Sequence, residues 1–529
     1  MKTKKRRYPV GIQTFSEIIR GGYIYVDKTD LVWKLQDYSK YVFLSRPRRF
    51  GKSLLSTTLH SFFDGDRKLF EGLKIMHYES EWHQFPVIHL DLSLAKGQES
   101  AAALQARLML MLKDYAELYG KDDDETTPGS MLEGLIKRAY QQKGEQVVII
   151  LDEYDAPLLE VLHEEENIPG FRKVMQEFYQ PLKACEAMVR FCFITGITKF
   201  SQLSIFSTLN NLTNVTLDPN FATICGITEQ ELTTVMKEDV KMLGDAYEET
   251  PEQMHQRLKL QYDGYHFSEN SEGVYNPYSL LKSFQQRKIS PYWFESGTPT
   301  FLIRQMLHFH TDITSLEGLE VPSSAFDRPT EAMVDALPLL YQTGYLTIKG
   351  YDREAEVFTL DIPNQEVRVG YAEGLLPTYV GLNGGYVQAG FALKFWRALR
   401  NANIELALQE LQAYIASLPY IEGFKKKLAD VATAEGFYEW TFYLIFSMLN
   451  VYVRTQVKTI RGRADIVVHM PDAIYVMELK INGRAEEAIE QIESKGYAIP
   501  YATDGREVKK VGIRFSTETL NIENWIIRC

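Results

Sequence analysis

Tyr41-Val-Phe-Leu-Ser-Arg-Pro-Arg-Arg-Phe-Gly-Lys-Ser53 decides how the first half of this chain folds. Tyr41 to Ser45 is a short, nearly continuous apolar run, the pattern of a strand buried on both faces. Gly51 then offers the backbone freedom that a tight loop needs. From Lys52 towards Phe63 the residues read as a helix. A strand that turns through a glycine and restarts as a helix aims unpaired backbone N–H groups at one point, and that point attracts an anion. Lys52 and Ser53 stand where a lysine meets the β- and γ-phosphates of a nucleotide and a hydroxyl meets its Mg²⁺. Arg46 takes the first position of the loop, where such loops usually carry glycine. Together with Arg48 and Arg49 it could strengthen the anion site.

Working outward, Val87-Ile-His-Leu-Asp-Leu92, Val147-Val-Ile-Ile-Leu151 and Arg190-Phe-Cys-Phe-Ile-Thr195 are further apolar runs separated by helical patterns. That alternation predicts an α/β domain, a parallel sheet covered by helices, over residues 1–227. The third run ends in Asp152-Glu153. A buried strand closing on two carboxylates supplies one for Mg²⁺, shared with Ser53, and one to activate water. Asp152 takes the metal role and Glu153 the general-base role. Thr195, at the next strand end, is either a sensor of the γ-phosphate or a structural threonine. Arg190 and Lys199 are the cations that could stabilise developing charge, and the sequence does not choose between them.

From Thr228 the texture becomes helical with aromatic loops: Tyr262-Asp-Gly-Tyr-His-Phe267, Tyr275-Asn-Pro-Tyr278 and Tyr292-Trp-Phe294. We read 228–363 as a helical lid or linker, its aromatics packing the lid against the core in preference to stacking bases. Residues 364–385, with several glycines and one proline, form a plausible hinge. Residues 386–529 make a second α/β domain: helices to Leu449, a β-rich stretch Tyr452–Lys480, a helix Ala485–Lys495 and a strand Lys509–Phe515. Within it, Asp465 to Met470 and Ile474 to Lys480 read as a hairpin turning near Asp472. Paired residue numbers should then sum to about 943 or 944, which sets Asp465 opposite Glu478 or Leu479. Glu478 and Lys480 are two apart and face one side. Two carboxylates beside a lysine suit Mg²⁺ and an attacking water, although a solvated hairpin face also carries such residues. The helix bearing Gln491, Lys495 and Tyr497 could bring a further polar group to that site.

The bulk composition narrows the classes. A formal charge of −12 over 529 residues rules out a protein coated in basic surface, so any nucleic-acid contact is local. The basic run Lys2 to Arg7 reads as a solvated tail. Four scattered cysteines show no metal spacing and point to a reduced compartment. No apolar stretch approaches membrane length and no signal-peptide core follows the basic start, so a cytoplasmic protein without membrane contact is expected.

These motifs carry a resemblance. Tyr25-Val-Asp-Lys-Thr29, Arg46-Pro-Arg-Arg-Phe-Gly-Lys-Ser53, Leu151-Asp-Glu-Tyr-Asp-Ala-Pro157, Thr195-Gly-Ile-Thr-Lys-Phe200 and Tyr262-Asp-Gly-Tyr-His-Phe267 resemble the AAA-ATPase-like family, which is common in gut-type anaerobic bacteria. Members are usually joined to a C-terminal PD-(D/E)XK nuclease-superfamily domain, and the likeness covers almost the whole chain. It implies a P-loop NTPase domain using ATP and Mg²⁺, with arginine usual at the first loop position. Gly462-Arg-Ala-Asp465, Glu478-Leu-Lys480, Ala485-Glu-Glu-Ala488 and Gln491-Ile-Glu-Ser-Lys-Gly-Tyr497 resemble the family's nuclease domain, a restriction-endonuclease-like fold. By that match Asp465, Glu478 and Lys480 are catalytic, and Glu435 is the acid of the domain's first helix. One departure is Gln456, where the family often has glutamate; a neutral amide is no full metal ligand. The implied partners are ATP and nucleic acid, DNA rather than RNA, and an oligomer is possible. A non-cleaving, ATP-dependent regulatory switch and a structural scaffold with a degenerate loop are the rival readings.

Overall fold

The computed structural model describes residues 6–159, 161, 166–198, 211–296, 302, 305–306, 309, 311, 316, 318–327, 335–371, 391, 394–395, 397–399, 401, 403–416, 452–459, 462–470, 473–519 and 521–529. The chain divides into two compact units. The first comprises Met1–Glu295, Arg304–Thr311 and Gly318–Asn364; the second comprises Ser296–Ile303, Asp312–Glu317 and Gln365–Cys529.

In the first unit, β1 (Tyr41–Ser45), β2 (Val87–Asp91), β3 (Val147–Asp152), β4 (Val189–Gly196) and β5 (Thr213–Asn214) form one parallel sheet. Its order is β2-β3-β4-β1-β5. β1 and β3 are buried along their whole length because helices cover both faces, which is why their sequences run apolar without alternation. Pro128–Lys143 and Ile168–Ala184 pack together on one face, and Lys52–Phe63 packs on β3. Each of the aliphatic side chains so buried, such as Ile149 and Leu151, contributes about 1.5–3 kcal/mol. All five strands run the same way, so their carboxyl ends share one edge, where loops can gather around a ligand.

Downstream, Lys237–Tyr247, Pro251–Tyr262 and Pro277–Gln286 pack around a core that includes Leu243, Met254, Leu258 and Leu280. A two-stranded ribbon, β6 (Ile227–Thr228) with β7 (Val274–Tyr275), ties this region together. The region is not helical throughout. β8 (Leu319–Val321), β9 (Thr347–Asp352) and β10 (Val357–Asp361) form an antiparallel sheet of order β8-β10-β9. Nothing in the sequence reading anticipated it.

The second unit is built on a five-stranded sheet in chain order: β11 (Tyr452–Thr459), β12 (Gly462–His469), β13 (Ala473–Ile481), β14 (Glu507–Ser516) and β15 (Asn521–Arg528). All neighbours are antiparallel except β13 and β14. That parallel step requires a crossover, which the helix Ala485–Lys495 supplies. Its Ile489 and Ile492 bury against Val467, Val476 and Tyr497. Gly512 on β14 lets the helix approach: a Cβ there would collide with the Ala485 carbonyl.

Candidate functional site

At the carboxyl edge of the first sheet, Ser45 closes β1, residues 46–51 form a loop and Lys52 opens the helix. Gly51 turns the chain with φ of +94°, and a Cβ there would meet only open space. Conformation, not crowding, therefore demands glycine at this position. Lys52 is buried, with Nζ 3.4 Å from Glu153 Oε1 and 3.4 Å from the Pro47 carbonyl. The Ser53 side chain lies beside the Asp152 carboxyl and favours its charged form. Four of the sequence-selected residues (Lys52, Ser53, Asp152 and Glu153) thus meet at one point.

Burial, and then the charges of Glu153 and Asp91, push the Asp152 carboxyl up to about 6 despite Ser53 and Lys52. A buried acid this reluctant to ionise alone suits a cation. At Glu153 burial also raises the pKa, but the charges of Lys52, Lys96 and Arg48 outweigh it and hold the carboxylate below its usual range. Glu153 further adopts a left-handed φ of +49°. Two contributors escaped the sequence reading. Asp91 ends β2 in register with Asp152, and Lys96 follows it closely. The available signal was a second strand ending in Leu-Asp.

Other expected ligands are engaged elsewhere. Arg46 is 1% exposed, and its guanidinium donates to the carbonyls of Ser45 (2.9 Å), Thr216 (2.9 Å) and Phe221 (3.0 Å). Arg49, at φ of +68°, donates to the Tyr292 carbonyl and stacks on Tyr278. Thr195 donates its hydroxyl to the Leu44 carbonyl at 2.7 Å. Arg190 is the second residue of β4, at the opposite edge of the sheet, and bonds Gln36, so it cannot serve as the charge-stabilising cation. Lys199 lies outside the described residues. Arg48 remains exposed.

The loop is held from outside, residue by residue. Arg46 lies over the Phe267 ring, Pro47 abuts Gly344, and the Arg48 carbonyl accepts from Trp293 Nε1. Arg49 meets Tyr278 and Tyr292, and Phe50 packs edge-on against Tyr265 and Phe267. The three aromatic motifs between 262 and 294 make most of these contacts. Beside Gly51 opens a cavity of about 90 Å³, lined chiefly by apolar side chains that include Ile24, Val26, Leu54, Ile227 and Leu281.

In the second unit, β12 and β13 pair Ile466 with Met477 and Val467 with Val476. The same register sets Asp465 opposite Glu478, the first of the two expected pairings. Asp465 Oδ2 accepts from the Leu479 amide at 2.8 Å. Glu478 is 1% exposed, and its Oε2 has no hydrogen-bond partner among the described residues. Burial, then the charge of Asp465, raises its carboxyl to about 8, with Lys480 pulling the other way at 3.5 Å. Gln491 joins the pair: its amide donates to Glu478 Oε1, and its oxygen accepts from Lys480 Nζ at 2.6 Å. The register also sets Gln456 on β11 beside Asp465, because its neighbours Thr455 and Val457 pair with Ile466 and Ala464. Glu435 lies outside the described residues. An orphaned carboxylate oxygen among paired acids fits a divalent cation. Among the described residues, however, no set of three or more His, Cys, Asp or Glu side chains gathers to hold one. Nor is any described helix long and apolar enough to cross a membrane.

Comparison with known proteins agrees with both halves. Residues 9–206 match the family described as "Predicted AAA-ATPase", and residues 433–525 match the PD-(D/E)XK nuclease superfamily. An uncharacterized protein from the vnfD 5′ region of Azotobacter chroococcum mcd 1 is 32% identical over 530 residues, covering 99% of each chain. A Walker-type ATPase of Pyrococcus abyssi aligns over 64% of this chain and 93% of its own at 12% identity, with a TM-score of 0.32. That likeness is too slight to support an argument, and the fold rests on strand order and register. On its full-length relative and its two matched segments, the chain belongs to the AAA-ATPase-like family that carries a C-terminal PD-(D/E)XK nuclease-superfamily domain.

Proposed function

We propose that this protein binds and hydrolyses ATP with Mg²⁺ in its first unit and that its second unit is a Mg²⁺-dependent nuclease acting on DNA. The observation that carries the reading is the meeting of loop and strand end: Lys52 Nζ stands 3.4 Å from Glu153, and Ser53 beside Asp152 favours its charged form. Phosphate would draw Lys52 away from Glu153 and leave that carboxylate free to take a proton from an attacking water. Ser53 and Asp152 would hold the Mg²⁺, which neutralises charge on the phosphates. The apolar cavity beside Gly51 would receive the base.

In the second unit Asp465 and Glu478 would hold a Mg²⁺, which polarises the scissile phosphate. Lys480 would orient the attacking water, and Gln491 holds Lys480 and Glu478 in place. Nucleotide state is proposed to govern cleavage. The test is a cleavage assay over DNA and RNA with Mg²⁺ or Mn²⁺, with and without ATP, beside calorimetric ATP binding. Lys52→Ala should abolish binding, and Lys480→Ala should abolish cleavage while binding persists. Metal-dependent cleavage surviving in the Asp465→Ala, Lys480→Ala double variant would remove the nuclease assignment.

Gln456 favours a second reading. A neutral amide stands in the register row of the two carboxylates, where it adds no charge for a metal. A non-cleaving domain that binds nucleic acid in an ATP-dependent way would show binding without products in the same assay.

A further inference from the structure

Asp155 is a buried carboxylate that the scheme above does not use. It is fully buried, and its Oδ2 accepts three hydrogen bonds: from the Ile197 amide (3.1 Å), the Thr198 amide (2.6 Å) and the Thr198 hydroxyl (2.7 Å). Its Oδ1 faces Gly196 so closely that a Cβ at that glycine would collide with it. The neighbouring turn adds two bonds to the same segment. The Tyr154 amide donates to the Thr195 carbonyl at 3.0 Å, and the Tyr154 hydroxyl donates to the Thr198 carbonyl at 2.8 Å.

Residues 195 and 196 in turn hold the first residue of the phosphate loop and the strand that leads into it. The Gly196 carbonyl accepts from the Arg46 amide at 3.2 Å, and the Thr195 hydroxyl bonds the Leu44 carbonyl. The short segment at the end of β4 is therefore a bridge: the loop hangs from one side of it and the Glu153 turn from the other. Glu153 itself sits in a left-handed conformation, which for a non-glycine residue costs about 1–3 kcal/mol and persists only where the surroundings enforce it. The Glu153 amide donates to Asp152 Oδ1 at 3.0 Å, and the bonds that tie the turn to β4 follow at Tyr154 and Asp155.

We infer that Asp155 is a positioning residue for ATP hydrolysis, fixing the Glu153 carboxylate relative to the phosphate loop through residues 195–198. The inference rests on the ATPase reading. Asp155 touches neither nucleotide nor water in this scheme; it sets where the base stands. A displacement of about 1 Å at a reacting group lowers a rate by roughly a hundredfold while leaving most of the binding contacts intact. Removing the anchor should therefore separate turnover from affinity.

The experiment measures steady-state ATP hydrolysis and calorimetric ATP affinity for the full chain, Asp155→Ala, Asp155→Asn and Thr198→Val. Asp155→Ala should lower kcat by tenfold or more with ATP affinity within about threefold of wild type. Asp155→Asn retains an oxygen that can accept the same three bonds and should recover most of the rate. Thr198→Val, which removes one donor, should fall between wild type and Asp155→Ala. If Asp155→Ala does not fold, Thr198→Val and Asp155→Asn carry the comparison. Wild-type kcat in Asp155→Ala, or in Thr198→Val where Asp155→Ala is unfolded, overturns the inference. So does loss of rate and affinity in equal proportion. A wild-type chain that binds no ATP, or binds without hydrolysing it, overturns the ATPase reading instead.

Discussion

Replacing Arg46 with methionine tests whether the first loop position serves the fold or the phosphate. The side chain is buried and bonded to three carbonyls drawn from the end of β1, the segment after β5 and the turn near Phe221. The Phe221 carbonyl keeps the Ile224 amide as a donor, and leaving the Ser45 and Thr216 carbonyls without one destabilises by about 1–2 kcal/mol each, or about 3 kcal/mol together. Loss of the stacked contact with Phe267 adds about 1 kcal/mol. Against this, burial lowers the guanidinium pKa to about 10, which sets the relief of desolvation at on the order of 3 kcal/mol. The net expectation is a loss of about 1 kcal/mol. Urea denaturation followed by fluorescence reads the stability, and calorimetry reads ATP affinity where the variant is folded. A structural arginine predicts lower stability with affinity within about threefold. A variant of unchanged stability that binds ATP ten times more weakly would refute the reasoning and return Arg46 to the phosphates.

Three further outcomes are expected. His89 lies 3.2 Å from His60 through their Nδ1 atoms, and burial, then His60, pushes its pKa from 6.5 down to about 4. The unfolded chain takes up this proton near pH 6.5 and the folded chain only near 4, so stability complete above pH 6.5 is lost as pH falls through that window, by at most on the order of 3 kcal/mol. Thermal melts of His89→Gln should depend less on pH between 7.5 and 5 than those of the wild type; equal dependence would exclude His89 as the source. Gly512→Ala should lift the Ala485–Lys495 helix off β14, cost about 1–3 kcal/mol and depress nuclease activity by separating Gln491 from Lys480, and an unchanged melting curve would argue against this. Gln456→Glu should tighten Mn²⁺ binding about tenfold, equivalent to about 1.4 kcal/mol, when titrated by calorimetry. Unaltered affinity would mean that the β11 position does not face the metal.

What could be read without coordinates follows from physical constraint. The strand Tyr41–Ser45 and the helices Lys52–Phe63 and Ala485–Lys495 appear with the expected bounds, because a strand buried on both faces and an amphipathic helix leave periodic marks. The Asp465–Glu478 pairing was legible because a short turn ties register to residue number. The β8-β10-β9 sheet was not. Its strands include Lys349, Gly350 and Asp352, half-solvated positions with no sustained apolar alternation. β15, Asn521–Arg528, was missed for a similar reason: Asn521, Glu523 and Asn524 interrupt its apolar pattern. The direction of Arg46 was equally hidden, since sequence reveals a charge but not the carbonyls that surround it.

The grip on residues 46–50 changes what counts as the ATPase part of this chain. The match to the predicted AAA-ATPase family ends at residue 206, yet the side chains that hold the loop lie between 265 and 293. A fragment cut at the similarity boundary would keep every residue of the nucleotide motif and lose the partners of Arg46, Arg49 and Phe50. It would also expose apolar rings that the full chain covers. The inheritable piece is therefore longer than the recognisable one, and substitutions at Tyr265, Phe267, Tyr278 or Trp293 should travel with changes in the arginine-rich loop rather than drift alone.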